Sequence, residues 1–196
     1  MSAVLKDSLT LEAFLEWESR QEQKYEFDGF HPVAMTGGSV EHSRIQRNLL
    51  TALTNRSRGH RCEAHGGELR IQVAGRIRYP DAFIVCSPIP PGATKVHDPV
   101  VVFEVLSPST SDTDRYEKNQ EYRDTPSIQR YVMLEQSRPA AMVFTRNGDD
   151  WIGHVVPGGA DLVLPEAGIA VPMMELYEGV TFPAAPPAGL SEAGRG

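Results

Sequence analysis

Three acidic residues stand in apolar surroundings where surface carboxylates are uncommon: Glu26 in YEF, Asp81 in YPDAFIV and Glu104 in VVFEVL. A carboxylate buried in such a strand is costly unless a partner compensates its charge. Carboxylates gathered at one place also repel one another, and a divalent cation removes that repulsion. Because oxygen donors suit Mg²⁺ or Mn²⁺, which often use only one or two carboxylates directly, the sequence predicts such a site at Asp81, Glu104 and Glu26.

Two of these acids require neighbouring strands to meet. YPDAFIV and VVVFEVL are apolar enough to be the inner strands of a sheet, and Pro80 can begin a strand without donating to its ladder. Adjacent inner strands would bring Asp81 and Glu104 to one end of the sheet although 23 residues separate them.

The remaining patterns predict an α/β or α+β fold with one central mixed sheet flanked by helices. A first helix, capped by Ser8 or Thr10, precedes a hairpin that turns at Asp28-Gly29. The predicted helices are SLTLEAFLEWESRQEQ, VEHSRIQRNLLTALTNRSRG with Ser39 as its cap and Gly59 at its end, residues 114–124, and the turn PMMELY. The later predicted strands are RCEAH, ELRIQV, IQRYVML, AAMVFTR, WIGHVV and DLVLP.

Length and composition indicate one domain. We expect residues 1–182 to form it and residues 183–196, which have few large apolar side chains, to be a disordered tail. No apolar run is long enough for a signal peptide or a membrane span, which predicts a cytoplasmic protein without membrane contact. Cys62 and Cys86 occur singly in separate candidate strands, and we interpret both as small buried apolar residues.

The charge distribution is uneven along the chain. A net charge of −7 argues against a surface devoted entirely to nucleic acid. Many of the positive charges nevertheless fall between residues 44 and 78, which leaves room for a local basic groove.

The acidic motifs carry a resemblance. YPDAFIV followed by VVFEVLSPST resembles the PD-(D/E)XK nuclease signature. The ordered set YEF-DG, EHSRIQRNL, YPDAFIV, VVFEVLSPSTSDTDRYEK and YRDTPSIQRYVML is similar to the Uma-two family of restriction-endonuclease-like proteins over about residues 10–146. The resemblance implies a restriction-endonuclease-like core and an Mg²⁺- or Mn²⁺-dependent endodeoxyribonuclease that hydrolyses phosphodiester bonds of DNA.

One position departs from the superfamily motif. Lysine is expected two residues after the acid, where this chain has Leu106. The resemblance implies that Lys118, on the following helix, takes the catalytic role beside Glu26, Asp81 and Glu104. Asp114, Lys118 and Tyr122 are spaced i, i+4 and i+8, so they share one helix face.

Each of these residues also has a purely structural interpretation. Glu104 could bind backbone amides or an arginine, and Asp81 could cap the start of its strand. Glu26 could lie in an exposed hairpin, and Lys118 could pair with Asp114 on a solvated face.

The accessory candidates are less specific. His42, near the start of the long helix, could contact a phosphate, assist a proton transfer or simply cap the helix. Asp114 and Tyr122 are possible accessory residues, with a core position as the structural interpretation of Tyr122.

Two functions follow from the same pattern. The first is the metal-dependent DNA endonuclease, which as a homodimer would present two sites to two strands. The second is a non-catalytic binding or scaffold protein on a nuclease-like fold, since one fold hosts many functions.

Overall fold

Short strands alternate with helices along the chain. A computed structural model describes residues 8–35, 37–106 and 112–182, and for residues 112–115 it describes the backbone alone. The predicted tail, residues 183–196, lies outside the described residues. The helices are α1 (Leu11–Glu18), α2 (Val40–Ser57), α3 (Asp112–Asp124) and α4 (Met173–Leu176). The strands are β1 (Tyr25–Phe27), β2 (Pro32–Ala34), β3 (Glu63–Gly66), β4 (Arg70–Val73), β5 (Arg76–Arg78), β6 (Ala82–Val85), β7 (Lys95–Val96), β8 (Pro99–Val105), β9 (Arg130–Leu134), β10 (Ala140–Asn147), β11 (Asp150–Pro157), β12 (Asp161–Leu164) and β13 (Ile169–Pro172).

The central sheet has six strands in the order β11-β10-β9-β8-β6-β3. It is mixed, because β8 and β9 are parallel whereas the other neighbours are antiparallel. Strands β6 and β8 are inner neighbours, which confirms the arrangement expected from their apolar sequences. The predicted α+β class with a mixed central sheet is also confirmed.

The two faces of β8 contact different cores. Val101, Phe103 and Val105 pack in the larger core with the apolar side of α2. Val102 points to the opposite face, where it packs in a second core with Tyr122 of α3. Since side chains alternate along a strand, Glu104 shares the face of Val102 and is directed towards α3.

A second sheet carries Glu26. Its five strands run β2-β1-β5-β4-β7, and α1 packs Phe14 against Phe27 and Ile77 of this sheet. The prediction of a single sheet is therefore wrong, since the strands of the described residues divide among three sheets. Strands β5 and β7 were not predicted, because RIR and KV are short and strongly polar.

The third sheet is the hairpin β12–β13, followed by α4. Leu164, Val171 and Leu176 of this segment are buried in the larger core. Strand β13 was not predicted, whereas the terminal helical turn is confirmed.

Side-chain caps fix the start of two helices and one turn. The hydroxyl of Thr10 accepts a hydrogen bond from Ala13 N, and that of Ser39 accepts one from His42 N, which confirms both predicted caps. Asp28 Oδ1 accepts from the amides of the β1–β2 turn, and Gly29 adopts a positive φ of 99° there.

The predicted burial of the two cysteines is confirmed, but the interpretation missed their pairing. Cys62 and Cys86 are both buried, but they form a disulfide. They are the next opposed pair beyond Glu63 and Val85 in the antiparallel β3–β6 ladder, so the register brings their side chains together.

No described helix combines the length and the apolar character that a membrane crossing would need.

Candidate active site

Asp81 and Glu104 lie side by side at one end of the central sheet. The last residue pair between β6 and β8 at this end joins Ala82 and Phe103. One residue further along the same register come Asp81 and Glu104. The structure thus brings together two acids that are far apart in the sequence.

The Asp81 carboxylate is held from two directions. Its Oδ2 accepts a hydrogen bond of 2.6 Å from Val105 N and lies 3.3 Å from His42 Nε2, while Oδ1 accepts one of 3.0 Å from Gln46 Nε2. His42 and Gln46 are four residues apart on α2, so one helix face supplies both contacts. The hydrogen bond to Asp81 raises the pKa of His42, burial lowers it, and the charges of Asp81 and Glu104 raise it further.

The Glu104 carboxylate faces α3. Tyr122 donates a hydrogen bond of 2.8 Å to Glu104 Oε1, and Lys118 Nζ lies 3.6 Å from the same oxygen. Burial raises the pKa of Glu104 to about 7, the Lys118 ammonium opposes this rise, and the carboxylates of Asp81 and Glu26 add to it. The surroundings of Glu104 therefore disfavour its negative charge.

Lys118 joins the two sheets. Its Nζ lies 3.2 Å from Glu26 Oε2, in addition to its contact with Glu104. Glu26 is itself buried, and it accepts hydrogen bonds from Tyr79 N at 3.1 Å and from Arg78 Nη1 at 3.2 Å. Two cations thus flank the Glu26 carboxylate.

A buried ion-pair network lies behind Glu26. Arg78 is 2% exposed and donates two hydrogen bonds to Glu121, of 2.7 Å from Nε and 2.6 Å from Nη2. Arg76 Nε lies 3.0 Å from Glu121 as well. Burial alone would lower the pKa of Arg78, and the carboxylates of Glu121 and Glu26 outweigh it and raise that pKa. The network connects strand β5 to helix α3 and thereby places Lys118.

The structure gathers most of the predicted site residues. Lys118 contacts both Glu26 and Glu104, and Asp81 lies beside Glu104 in the strand register. His42 contacts Asp81, and Tyr122 contacts Glu104. The side chain of Asp114 lies outside the described part of α3.

Sequence reasoning missed three polar residues of this group: Gln46, Arg78 and Glu121. The spacing from His42 to Gln46 on one helix face was a usable signal. Arg78, three residues before Asp81 in a short polar segment, gave none.

The donor set fits a cation that keeps part of its water shell. The described residues contain no cluster of three or more His, Cys, Asp or Glu side chains close enough to hold a metal. Glu26 is already neutralised by Lys118 and Arg78, so the ligands left are Asp81 and Glu104. Mg²⁺ commonly uses one or two carboxylates and several waters. A bound cation would also compensate the negative charge of the buried Glu104 carboxylate.

Most of the arginines that were expected to form a basic groove form ion pairs within the protein instead. Five of the eight arginines between residues 44 and 78 lie within 4.0 Å of a carboxylate: Arg44, Arg56, Arg70, Arg76 and Arg78. Arg47 differs, since its guanidinium contacts the side-chain oxygen of Asn48.

The sequence matches a family model, Uma2, described as "Putative restriction endonuclease", over residues 11–176. The chain belongs to the Uma2 family.

Two relatives from Synechocystis sp. (strain PCC 6803) are similar over much of their length. The uncharacterised protein slr1290 is 33% identical over 178 residues, which cover 89% of this chain and 94% of slr1290. The uncharacterised protein sll1609 is 27% identical over 135 residues, covering 65% of this chain and 75% of sll1609. The Uma2 assignment therefore rests on most of the chain rather than on isolated motifs.

A solved structure shares the fold. It is described as a putative nuclease belonging to DUF820 from Anabaena variabilis ATCC 29413, and it superposes with a TM-score of 0.74 at 18% sequence identity. The match covers 88% of this chain and 99% of that one. The Uma2 chain thus has the fold of a protein described as a putative nuclease.

Proposed function

We propose that this Uma2 protein is an Mg²⁺- or Mn²⁺-dependent endonuclease that hydrolyses phosphodiester bonds of DNA. The observation that carries the proposal is that Asp81, just before β6, and Glu104 of β8 lie side by side at one end of the central sheet, with Lys118 of α3 lying 3.6 Å from Glu104. The family description names restriction endonucleases, which is the basis for choosing DNA.

Asp81 and Glu104 would hold the cation, which supplies Lewis-acid stabilisation of phosphate charge and lowers the pKa of bound water. His42, Gln46 and Val105 N fix the orientation of the Asp81 carboxylate. Tyr122 fixes that of Glu104.

Lys118 takes the place of the lysine missing at position 106. Its ammonium, 3.6 Å from Glu104, would orient the attacking water and stabilise the charge that develops on the phosphate. Glu26 acts through Lys118, because it is bound by that ammonium and by Arg78. Cleavage would leave a 3′ hydroxyl and a 5′ phosphate if it follows the usual superfamily course.

Cleavage assays test this assignment. Asp81→Ala, Glu104→Ala and Lys118→Ala should each abolish cleavage that the wild type shows with Mg²⁺ or Mn²⁺ and loses with EDTA. Thr51→Ala, an exposed substitution on α2, is the control for preparation and folding. A wild type that is inert on single-stranded, double-stranded and branched DNA with both metals would contradict the proposal.

One observation favours a scaffold instead. Lys118 neutralises both Glu26 and Glu104, so the pocket is partly charge-compensated without metal. Calorimetric titration with Mn²⁺ separates the two functions. Binding that disappears in Asp81→Ala supports the enzyme, and absent binding, or weak binding that survives this substitution, supports the scaffold.

We further propose a cytoplasmic homodimer, since two active sites would be needed to cut both strands of a duplex in one encounter. Analytical ultracentrifugation with and without duplex DNA tests the assembly. A monomer under both conditions would contradict it.

A further inference from the structure

A cleft with a volume of about 630 Å³ opens beside Asp81. Pockets for small organic ligands typically measure roughly 300–1,000 Å³. Asp81 and Gln46 both line this cleft, and Gln46 donates a hydrogen bond to Asp81 Oδ1. A ligand bound in the cleft would therefore lie next to a proposed catalytic carboxylate.

One wall is a polar face of α2. Ser43, Gln46, Arg47 and Leu50 line the cleft at positions i, i+3, i+4 and i+7, which fall on one side of a helix. This face adjoins the buried face of α2, which packs in the larger core. The wall is thus fixed by a helix that cannot rotate without disturbing the core.

The lining also contains two consecutive glycines, which adjoin α2. A Cβ at Gly66 would lie 3.0 Å from Leu50 Cδ2, and one at Gly67 would lie 3.3 Å from Pro80 O and 3.5 Å from Gln46 Nε2. All of these contacts are with residues that line the cleft or adjoin Asp81. The missing side chains let this segment pack closely against α2 and Pro80 at the inner end of the cleft.

The lining combines apolar surface with amide groups. Leu50, Met35 and Tyr79 provide apolar area, and Gln23 and Gln46 provide amides whose oxygens accept no hydrogen bond from any described residue. A nucleobase has apolar faces and a hydrogen-bonding edge, so it matches this combination, whereas an isolated phosphate would require clustered donors.

Two cations lie at the cleft. Arg47 lines it, and no described carboxylate lies within ion-pair distance of its guanidinium. Lys24 also lines it and pairs with the exposed Glu68 at 2.6 Å. Because exposed pairs are weak, Lys24 can exchange Glu68 for a phosphate at little cost.

We infer that this cleft holds one unpaired nucleotide of the substrate strand, with its base against the apolar and amide side chains of the lining and its flanking phosphates on Arg47 and Lys24. The identification of the ligand as DNA rests on the proposed function. The new content is a preference: a base inside a duplex must leave the stack before it can enter, so single-stranded or frayed DNA binds better than fully paired DNA.

Binding without catalysis tests this preference. Fluorescence anisotropy in EDTA compares a labelled twelve-residue oligothymidylate with a blunt duplex of the same length. Ser43→Phe would fill the cleft, and Thr51→Phe places the same bulk on an exposed position of α2 away from it. The Ser43→Phe protein should bind oligothymidylate about tenfold more weakly than the wild type, because one stacked base is lost. The Thr51→Phe protein should bind like the wild type.

Two arginines, one that lines the cleft and one at the end of α2, allow a matched test of the phosphate contact. Arg47→Ala should lower the dependence of log affinity on log salt by about one. Arg58→Ala, an exposed position at the far end of the helix, should leave that slope unchanged.

Crosslinking provides a readout on the wild type that does not depend on folding of a variant. Oligothymidylate carrying one 5-iodouracil should crosslink to peptides with residues 23–35, 43–50 or 66–79. Crosslinks found only elsewhere, equal affinity for duplex and single strand, or undiminished binding by Ser43→Phe would each overturn the inference.

The outcomes separate the two proposals. A wild type that binds oligothymidylate in the cleft but cleaves no DNA with either metal would contradict the nuclease and support the cleft. A wild type that cleaves DNA but fails the binding and crosslinking tests would support the nuclease and overturn the cleft.

Discussion

At the residue scale, Glu104 is held in surroundings that oppose its charge. Burial raises its pKa to about 7, and Tyr122 and Lys118 compensate only in part. Such a group lowers the stability of the metal-free protein, as is common where a site is built for binding rather than for folding.

This cost depends on pH. The folded-state pKa of Glu104 lies above its ordinary value of 4.5, so the associated stability is fully present below pH 4.5 and is lost as pH rises through about 7. We expect the wild type in EDTA to lose about 3 kcal/mol of unfolding free energy over this range relative to Glu104→Gln.

Urea unfolding at pH 5 and pH 8 measures the difference. Glu178→Gln, which changes an exposed carboxylate, is the control and should follow the wild type. Parallel pH profiles of the wild type and Glu104→Gln would contradict the assigned environment.

A substitution at Lys118 should affect catalysis but not metal binding. Lys118→Met should reduce the cleavage rate about 100-fold or more, because a charge aimed at the reacting phosphate is lost. Mn²⁺ binding should persist, since Asp81 and Glu104 remain. A Lys118→Met protein that cleaves like the wild type would place the essential cation elsewhere.

At the scale of elements, the Arg78–Glu121 pair connects β5 to α3. Arg78→Met would leave Glu121 buried with Arg76 as its remaining cation and should cost about 3–5 kcal/mol of unfolding free energy. Adding Glu121→Leu to Arg78→Met should recover part of that loss, because a buried carboxylate that has lost its main partner is removed.

Urea denaturation of the single and double variants measures this coupling. Arg44→Met, which removes a half-buried arginine at the surface of α2, controls for loss of surface charge. A double variant that is less stable than Arg78→Met alone would show that the buried Glu121 charge does not cause the loss of stability in Arg78→Met.

The disulfide links the edge strand β3 to β6. Its two cysteines are 24 residues apart, and the entropy of closing such a loop predicts a contribution of about 3 kcal/mol. Dithiothreitol should lower the unfolding free energy of the wild type by this amount and leave Cys62→Ala/Cys86→Ala unaffected. A wild type whose unfolding free energy does not change with dithiothreitol would contradict a stabilising role of the disulfide.

At the scale of the whole molecule, the site lies where two sheets meet. The central sheet supplies Asp81 and Glu104, the second sheet supplies Glu26, and α3 bridges them through Lys118. Relative movement of the sheets would therefore change the distance between Lys118 and Glu104.

The sequence predicted what depends on local patterns. The caps at Thr10 and Ser39, the hairpin at Asp28 and the adjacency of β6 and β8 follow from neighbouring residues or from apolar runs. The acids could be recognised because a charge in an apolar strand is unusual.

What the sequence did not predict depends on distant pairing. Arg78 of strand β5 is paired with Glu121, which is 43 residues later in the sequence. This pairing allows an otherwise polar segment to be buried. The disulfide likewise requires the register of β3 against β6, which no local pattern specifies. The cleft beside Asp81 requires glycines and helix residues from separate segments.

The central claim is that Asp81 and Glu104 bind one divalent cation within reach of Lys118. Anomalous diffraction from a crystal soaked in Mn²⁺ tests it most directly. The account predicts a peak about 2.0–2.2 Å from an oxygen of Asp81 and an oxygen of Glu104. A saturating soak that gives no peak at these carboxylates, or a peak only elsewhere, would contradict it.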